Sequence, residues 1–351
     1  MTAVAVLQAG SWGTTLATIL ARDGGRDVIL WTRDAAHAAA MAAERENRRY
    51  LPGIRIPDRV LITADLERAA AGASDLIVAA PSVGVPALRE RLAALLTSDH
   101  RVLSATKGLA GNGRRMSEIW SETLAAGRVA VLSGPNISRE IAAGHPAATV
   151  IASADGATAK HFQDVLGTPM FRVYTDTDVV GVELCGALKN IIALGAGAVD
   201  GMGYGDNAKA AFITRGLAEI ARFGFASGAN PLTVAGLAGV GDLVATCMSK
   251  HSRNRTVGEL LARGTGLAEI RQRLGGQVAE GVTTAEATYR ASQAQGVSMP
   301  ITEQTHLVLS EGRPIREAMR DLMQRERGEE IAGPLAEVSR LIASAAAARR
   351  G

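Results

Sequence analysis

An N-terminal α/β domain built on a doubly wound parallel sheet, followed by an all-α C-terminal domain, is the fold class that this sequence predicts. Three observations carry it. Up to about residue 175 short β-branched runs alternate with helical patterns, as βαβ units do. From Asp178 onward the strands stop, and helices broken by Gly- or Pro-containing turns take over. At 351 residues the chain is about twice a typical domain, so two units are expected.

Strands are expected at 4–7, 28–31, 75–79, 102–104, 129–132, 149–151 and 171–174. Helical stretches such as 16–22, 87–96, 116–124 and 157–166 lie between them. The second half is expected to be helical at 178–198, 208–227, 231–236, 256–262, 267–274, 282–295, 302–311, 314–319 and 331–348. Thr175, Asp176, Thr177 and Asp178 offer capping oxygens, which sets the boundary between units 1–177 and 178–351. The cleft between two such units is the natural ligand site.

Composition narrows the function. Apolar residues make up 47% and charged residues 21%, enough for an ordinary core and too apolar for disorder. The central charge-free stretch 191–199 falls far short of the roughly 18 residues of a membrane span, and no apolar segment follows a basic N-terminus. No membrane span and no secretion signal are therefore expected. The two cysteines, Cys185 and Cys247, make neither a disulfide framework nor a metal site, which fits a reducing, cytoplasmic setting. A net charge of +3 and only five Phe, four Tyr and three Trp leave little with which to grip nucleic acid. Five of the 38 basic residues are lysines, and an ammonium loses its proton on burial far more readily than a guanidinium does.

After the first strand comes Gln8-Ala9-Gly10-Ser11-Trp12-Gly13, then a helical run. In the dinucleotide fingerprint G-x-G-x-x-G the second glycine admits the pyrophosphate and the third lets helix and strand pack. Gly10 and Gly13 take those places, so the first unit is expected to be Rossmann-like, but Gln8 stands where the first glycine belongs. A side chain there is strained if the backbone needs positive φ. The second strand ends Thr32-Arg33-Asp34, and an arginine at that point suits a 2′-phosphate, which favours NADP over NAD. Ligands of open parallel sheets bind beyond the carboxyl ends of the strands, where Pro81-Ser82 and Ala105-Thr106-Lys107-Gly108 fall, so Lys107 points into the crevice.

In the helical half, Lys189 has Cys185, Gly186, Ile192 and Ala193 as its neighbours one turn away, and none can pair with it. Glu183 lies six residues back, about 240° around the helix, and faces elsewhere. An amine on such a dry face, near other cations, has a lowered pKa and can serve as a general acid or base. Asp242, in Gly239-Val240-Gly241-Asp242-Leu243, is placed for a ligand hydroxyl or for orienting a cation. Ser252-Arg253-Asn254-Arg255 opens a helix, and N–H groups beside a guanidinium suit a phosphate. His251 has no partner at metal spacing, so no metal is expected.

Taken together, residues 9–14, 47–53, 105–109, 133–135, 181–190, 213–216, 239–243, 252–255 and 280–282 resemble, in order and across nearly the whole chain, the bacterial NAD(P)-dependent glycerol-3-phosphate dehydrogenase family. The resemblance implies reversible reduction of dihydroxyacetone phosphate to glycerol 3-phosphate in the cytoplasm, supplying the backbone of phospholipids. It implies a cofactor site, for NADP or NAD, of Gly10, Ser11, Trp12, Gly13, Arg33, Lys107, Ser138, Arg253, Val278 and Glu280. It implies substrate contacts from Lys107, Gly134, Asn136, Lys189, Asp242, Ser252, Arg253 and Asn254, with Lys189 as proton acceptor and Lys107 as its catalytic partner. Asn136 stands where the family often has Thr or Ser, Ser138 where Ala is usual, and Gln8 where Gly is. The small phosphorylated substrate is the expected partner, and a homodimer is left open. Two other readings remain: a related two-domain dehydrogenase of another small hydroxy acid, or a dinucleotide binder without turnover if Gln8 disables the loop.

Overall fold

The computed structural model describes residues 3–275, 277, 279–326, 329, 330, 336 and 340. The strands among them are β1 Ala3–Leu7, β2 Val28–Trp31, β3 Glu46–Asn47, β4 Leu51–Arg55, β5 Val60–Thr63, β6 Ala73–Val78, β7 Arg101–Ser104, β8 Val129–Ser133, β9 Ala147–Ser153 and β10 Phe171–Asp176. The α-helices of this part are α1 Ser11–Arg22, α2 Ala35–Glu44, α3 Leu66–Ala71, α4 Val85–Leu92, α5 Met116–Trp120, α6 Ser138–Ala142 and α7 Gly156–Leu166. Those that follow are α8 Val179–Gly201, α9 Asp206–Ala226, α10 Asp242–Met248, α11 Arg253–Ala262, α12 Leu267–Arg273, α13 Glu280–Gln295, α14 Pro300–Ser310 and α15 Ile315–Gln324. The N-terminal domain is Rossmann-like and the C-terminal domain is helical. The expected helix at 331–348 lies outside the described residues.

One sheet of eight strands runs in the order β10-β9-β8-β7-β6-β1-β2-β5. Strands β1, β2, β6 and β8 are buried almost throughout, because helices cover both faces, and this is why they read as unbroken apolar runs. The order turns back on itself between β1 and β6, and the loops beyond their carboxyl ends open there into a crevice. Two features depart from the expected strands. Strand β9 runs antiparallel to β8 after the short helix α6, which keeps residues 134–138 at the crevice end. Strand β5, built on the run Val60-Leu61-Ile62 that the expected strands left out, pairs with β2 at the edge and is half exposed.

Helix α8 is the axis of the second domain. By length and composition it could cross a bilayer, with mean hydropathy 1.6, but 78% of that window is buried inside the molecule. Asp178 caps it, accepting from the Gly181 N–H at 2.9 Å. Helix α11 crosses α8 at backbone contact. A Cβ on Gly258 would lie 1.8 Å from the Leu194 carbonyl oxygen, and one on Gly197 1.9 Å from that of Arg255. A π-helical turn, Leu237–Gly241, leads into α10 and delivers Asp242 to the same face of α8.

The glycine contact sets how closely α11 approaches α8. Gly258→Ala is expected to destabilise the protein by about 1–3 kcal/mol, because no side chain can yield where the clash is with backbone. Urea unfolding measures it, and an unchanged midpoint would show that the helices can separate freely.

Candidate active site

Two amines, one from each domain, meet on one buried carboxylate. Asp242 is 1% exposed. Its Oδ1 accepts from Lys189 Nζ at 2.6 Å and its Oδ2 from Lys107 Nζ at 2.7 Å. Lys189 also donates to Thr246 Oγ1 at 2.6 Å, one helical turn beyond Asp242. The expectation that Lys189 lacks a partner is thus corrected: its own helix offers none, but α10 does. Burial pushes the Asp242 pKa up, yet the ammoniums of Lys107 and Lys189 overcome this and hold it below the usual carboxylate range. Burial lowers Lys107 to about 8, with Asp242 resisting and Lys189 adding to the fall. Two ammoniums on one carboxylate leave a net positive charge facing the crevice.

Lys107 is held on its sheet-domain side as well. It donates to the Gly134 carbonyl at 2.6 Å and to Asn136 Oδ1 at 3.3 Å. Gly134 has φ +144, and a Cβ there would lie 3.0 Å from the Thr149 Cα, so glycine is needed at this turn. Asn136 Oδ1 also accepts from Thr149 Oγ1, while Nδ2 is buried with no partner among the described residues. A buried amide donor left over beside an ammonium suits an incoming oxygen.

Ser252 caps α11, accepting from the Arg255 N–H at 3.3 Å. Arg253 follows it and makes no hydrogen bond or ion pair among the described residues. Its guanidinium reaches solvent along the cleft, yet the protein around it desolvates it enough to lower its pKa, with Glu280 resisting. Asn254 turns inward: its Nδ2 donates to Asn190 Oδ1 at 2.8 Å and its Oδ1 accepts from the Gly281 N–H at 3.0 Å. Asn190 in turn donates to the Lys107 carbonyl at 2.9 Å. The sequence reading missed Asn190 and Thr246 as site residues. Thr246 could have been found, because it lies four residues after Asp242 on an apolar helix.

The glycine loop is preformed. Gly10 precedes α1 with open space around it, and Ser11 is the first residue of that helix. A Cβ on Gly13 would lie 2.1 Å from the Gln8 carbonyl oxygen, which is the close packing that the third glycine allows. Gln8 itself has φ +86, so it keeps the turn of a glycine and bears the strain. Trp12 packs edge-on against Phe171, and its Nε1 is buried without a partner among the described residues. Arg33 is exposed and unpaired among the described residues, while Asp34 is committed to capping α2 through the His37 N–H at 3.1 Å. Ser138 opens α6 and accepts from Thr15 Oγ1 on α1 at 3.1 Å through its carbonyl. Glu280 bonds across the cleft to Ser82, and Val278 lies outside the described residues. The bare backbone at Gly10, the orphaned indole N–H and the free guanidinium all fit a dinucleotide. Among the described residues no cluster of His, Cys, Asp or Glu is placed to hold a metal ion.

Comparison with known proteins agrees along the whole described chain. Residues 3–159 match the family model for the NAD-dependent glycerol-3-phosphate dehydrogenase N-terminus, and residues 178–320 match that for its C-terminus. The chain is 47% identical over 332 residues to the glycerol-3-phosphate dehydrogenase (NAD(P)+) of Chlorobium limicola, covering 93% of this chain and 99% of that relative. It is 50% identical over 335 residues to that of Parafrankia sp., covering 94% and 99%. Its structure is similar to the crystal structure of glycerol-3-phosphate dehydrogenase from Coxiella burnetii, with TM-score 0.89, 38% identity, and coverage of 92% and 99%.

Gln8→Gly is expected to stabilise the fold by roughly 1 kcal/mol, since it relieves about 1–3 kcal/mol of strain and adds about 0.4–1 kcal/mol of unfolded-state entropy. Equilibrium unfolding checks this, and a less stable variant would show that the turn at residue 8 is unstrained.

Proposed function

The chain belongs to the NAD-dependent glycerol-3-phosphate dehydrogenase family, and from that premise we propose how its crevice works and which residues do the chemistry. It is an NAD(P)-dependent oxidoreductase that interconverts dihydroxyacetone phosphate and glycerol 3-phosphate. The observation that carries the assignment of roles is the shared carboxylate: Lys107 and Lys189 both bonded to Asp242, one from each domain.

A bound coenzyme would supply hydride-transfer chemistry at C2 of the substrate. Gly10, Ser11, Trp12 and Gly13 would hold its pyrophosphate half, and Ser138 and Glu280 stand at the same crevice. Arg33 favours NADP, because Asp34 is spent on the cap of α2 and Arg33 is left to meet a 2′-phosphate.

Reduction of the ketone needs a proton on its oxygen as negative charge develops there. Lys189 donates it, and takes it back in the oxidative direction. Asp242 and Thr246 hold the amine in one orientation, so little is lost in arranging it. Lys107 stays charged beside the same oxygen and stabilises the developing oxyanion. Asn136 offers its free amide N–H to the substrate. Arg253, at the start of α11 beside Ser252 and Asn254, binds the phosphate and turns that remote binding energy into placement of C2. The two buried cysteines, pushed up to about 12 by burial, take no part, and two unpaired thiols support a reducing, cytoplasmic setting. There the product would supply the glycerol backbone of phospholipids. We take residues 1–177 and 178–351 as the two units that form the cleft.

Lys189→Met is expected to cut turnover by about 10²–10⁴ while leaving NADPH binding intact, measured by absorbance at 340 nm and by cofactor fluorescence. Near-normal turnover would remove Lys189 from this role. The Lys107 ammonium is lost as pH rises through about 8. The reductive kcat/KM of the free enzyme should therefore fall above that pH, and Lys107→Met should lack that limb. A profile flat to pH 9.5 in the wild type, about 1.5 pH units beyond, would contradict it.

A further inference from the structure

The geometry points to Ser82 as a positioning residue: a buried hydroxyl that never meets the substrate but clamps Glu280, and with it the main chain that carries Lys107. This deepens the proposal above and rests on its assignment of Lys107.

Ser82 lies just past β6, in the 3₁₀ turn Ser82–Gly84, and is 0% exposed. Both of its donors go to one carboxylate of the other domain. Its N–H reaches Glu280 Oε1 at 3.0 Å and its Oγ reaches Oε2 at 2.5 Å. Glu280 is the first residue of α13, where a carboxylate ordinarily serves its own helix N-terminus. Here it leaves that role and crosses the cleft.

What it crosses to is the segment after Lys107. A Cβ on Gly108 would lie 2.5 Å from Glu280 Oε2, 2.7 Å from Ser82 Oγ and 2.8 Å from Ser82 Cβ, so the pair presses directly on that backbone. On its other side the Lys107 carbonyl accepts from Asn190. Asn190 accepts from Asn254, and Asn254 from the N–H of Gly281, next in chain to Glu280. A ring of hydrogen bonds and close contact therefore closes around residues 107–108: Ser82, Glu280–Gly281, Asn254, Asn190 and back to Lys107. Each link is buried or partly buried. Removing the Ser82 hydroxyl leaves the Ser82 N–H as its single donor to Glu280, which loosens the ring and leaves half of a desolvated carboxylate unpaired. The Lys107 backbone is then free to shift relative to Asp242 and Lys189, and displacements of that kind are felt in the chemical step.

Kinetics of Ser82→Ala, Glu280→Gln and the double variant test the clamp, with melting curves confirming that each is folded. Ser82→Ala should lower kcat by about 10-fold or more while the KM for dihydroxyacetone phosphate moves by less than about 3-fold. The double variant should lose no more kcat than the worse single one, because both weaken the same link. A kcat within about 2-fold of wild type, or losses that multiply in the double variant, would overturn the clamp. So would a change confined to the KM for NADPH, which would make Ser82 a support of the cofactor site alone. If Ser82→Ala does not fold, Glu280→Gln decides by the same split of kcat against KM. Normal Ser82→Ala beside an inactive Lys189→Met removes only the clamp, whereas full turnover in both removes the reading beneath it.

Discussion

One carboxylate between two ammoniums joins the halves of this molecule. Asp242 is buried on α10, and the ammoniums of Lys189 of α8 and Lys107 of the sheet domain compensate its charge. Breaking a buried pair by removing one partner typically costs about 3–5 kcal/mol, because the other charge is left desolvated. The site is therefore part of the interdomain contact. Its net positive charge also explains why the arrangement suits an anionic substrate, whose approach relieves the repulsion between the two amines.

The same device recurs along the domain interface. Glu183 of α8 accepts from the Ser117 N–H at 2.8 Å, from its hydroxyl, and from Arg115 at 3.2 Å. Glu280 of α13 accepts twice from Ser82. In all three contacts a carboxylate of the helical domain is held by donors of the sheet domain. Burial raises the pKa of Glu183 and Glu280, with the Glu118 charge adding to the rise at Glu183, while the hydroxyl and amide donors and the nearby Arg115 and Arg253 resist it. Carboxylates need no helix of their own to face them if a loop from another domain supplies N–H and O–H groups. Glu183 had looked like a residue that merely faces away from Lys189; it faces away because its partners are in the other domain.

Backbone contact sets the distances. Gly197 and Gly258 let α8 and α11 approach until main chain meets main chain, which brings the start of α11, with Arg253, to the cleft. Gly134 does the same against Thr149, and Gly108 makes room for the Glu280 and Ser82 side chains beside Lys107. Gln8 shows the converse. It holds the φ of a glycine while carrying a side chain, so the phosphate loop is shaped by the sheet and α1 around it and tolerates the misfit.

Much of this was legible in the residues themselves. The change from period-2 runs to helical patterns near Asp178, the Gly10–Gly13 loop, the scarcity of lysine and the Arg253 helix start all report local chemistry, and local chemistry survives in a linear text. So did the family resemblance, whose motifs are themselves local. What the text could not show is which charges meet. Lys189 has no partner within its helix, and its two partners lie 53 and 57 residues away. Ser82 and Glu280 are separated by 198. The half-exposed edge strand β5 and the antiparallel return of β9 were likewise settled by pairing across the sheet. Periodicity and caps depend on neighbours a turn apart, so sequence alone determined most of the elements and the kinds of reactive group. Salt bridges and clamps depend on distances of a few ångströms between residues far apart in the chain, and only the tertiary structure decides those.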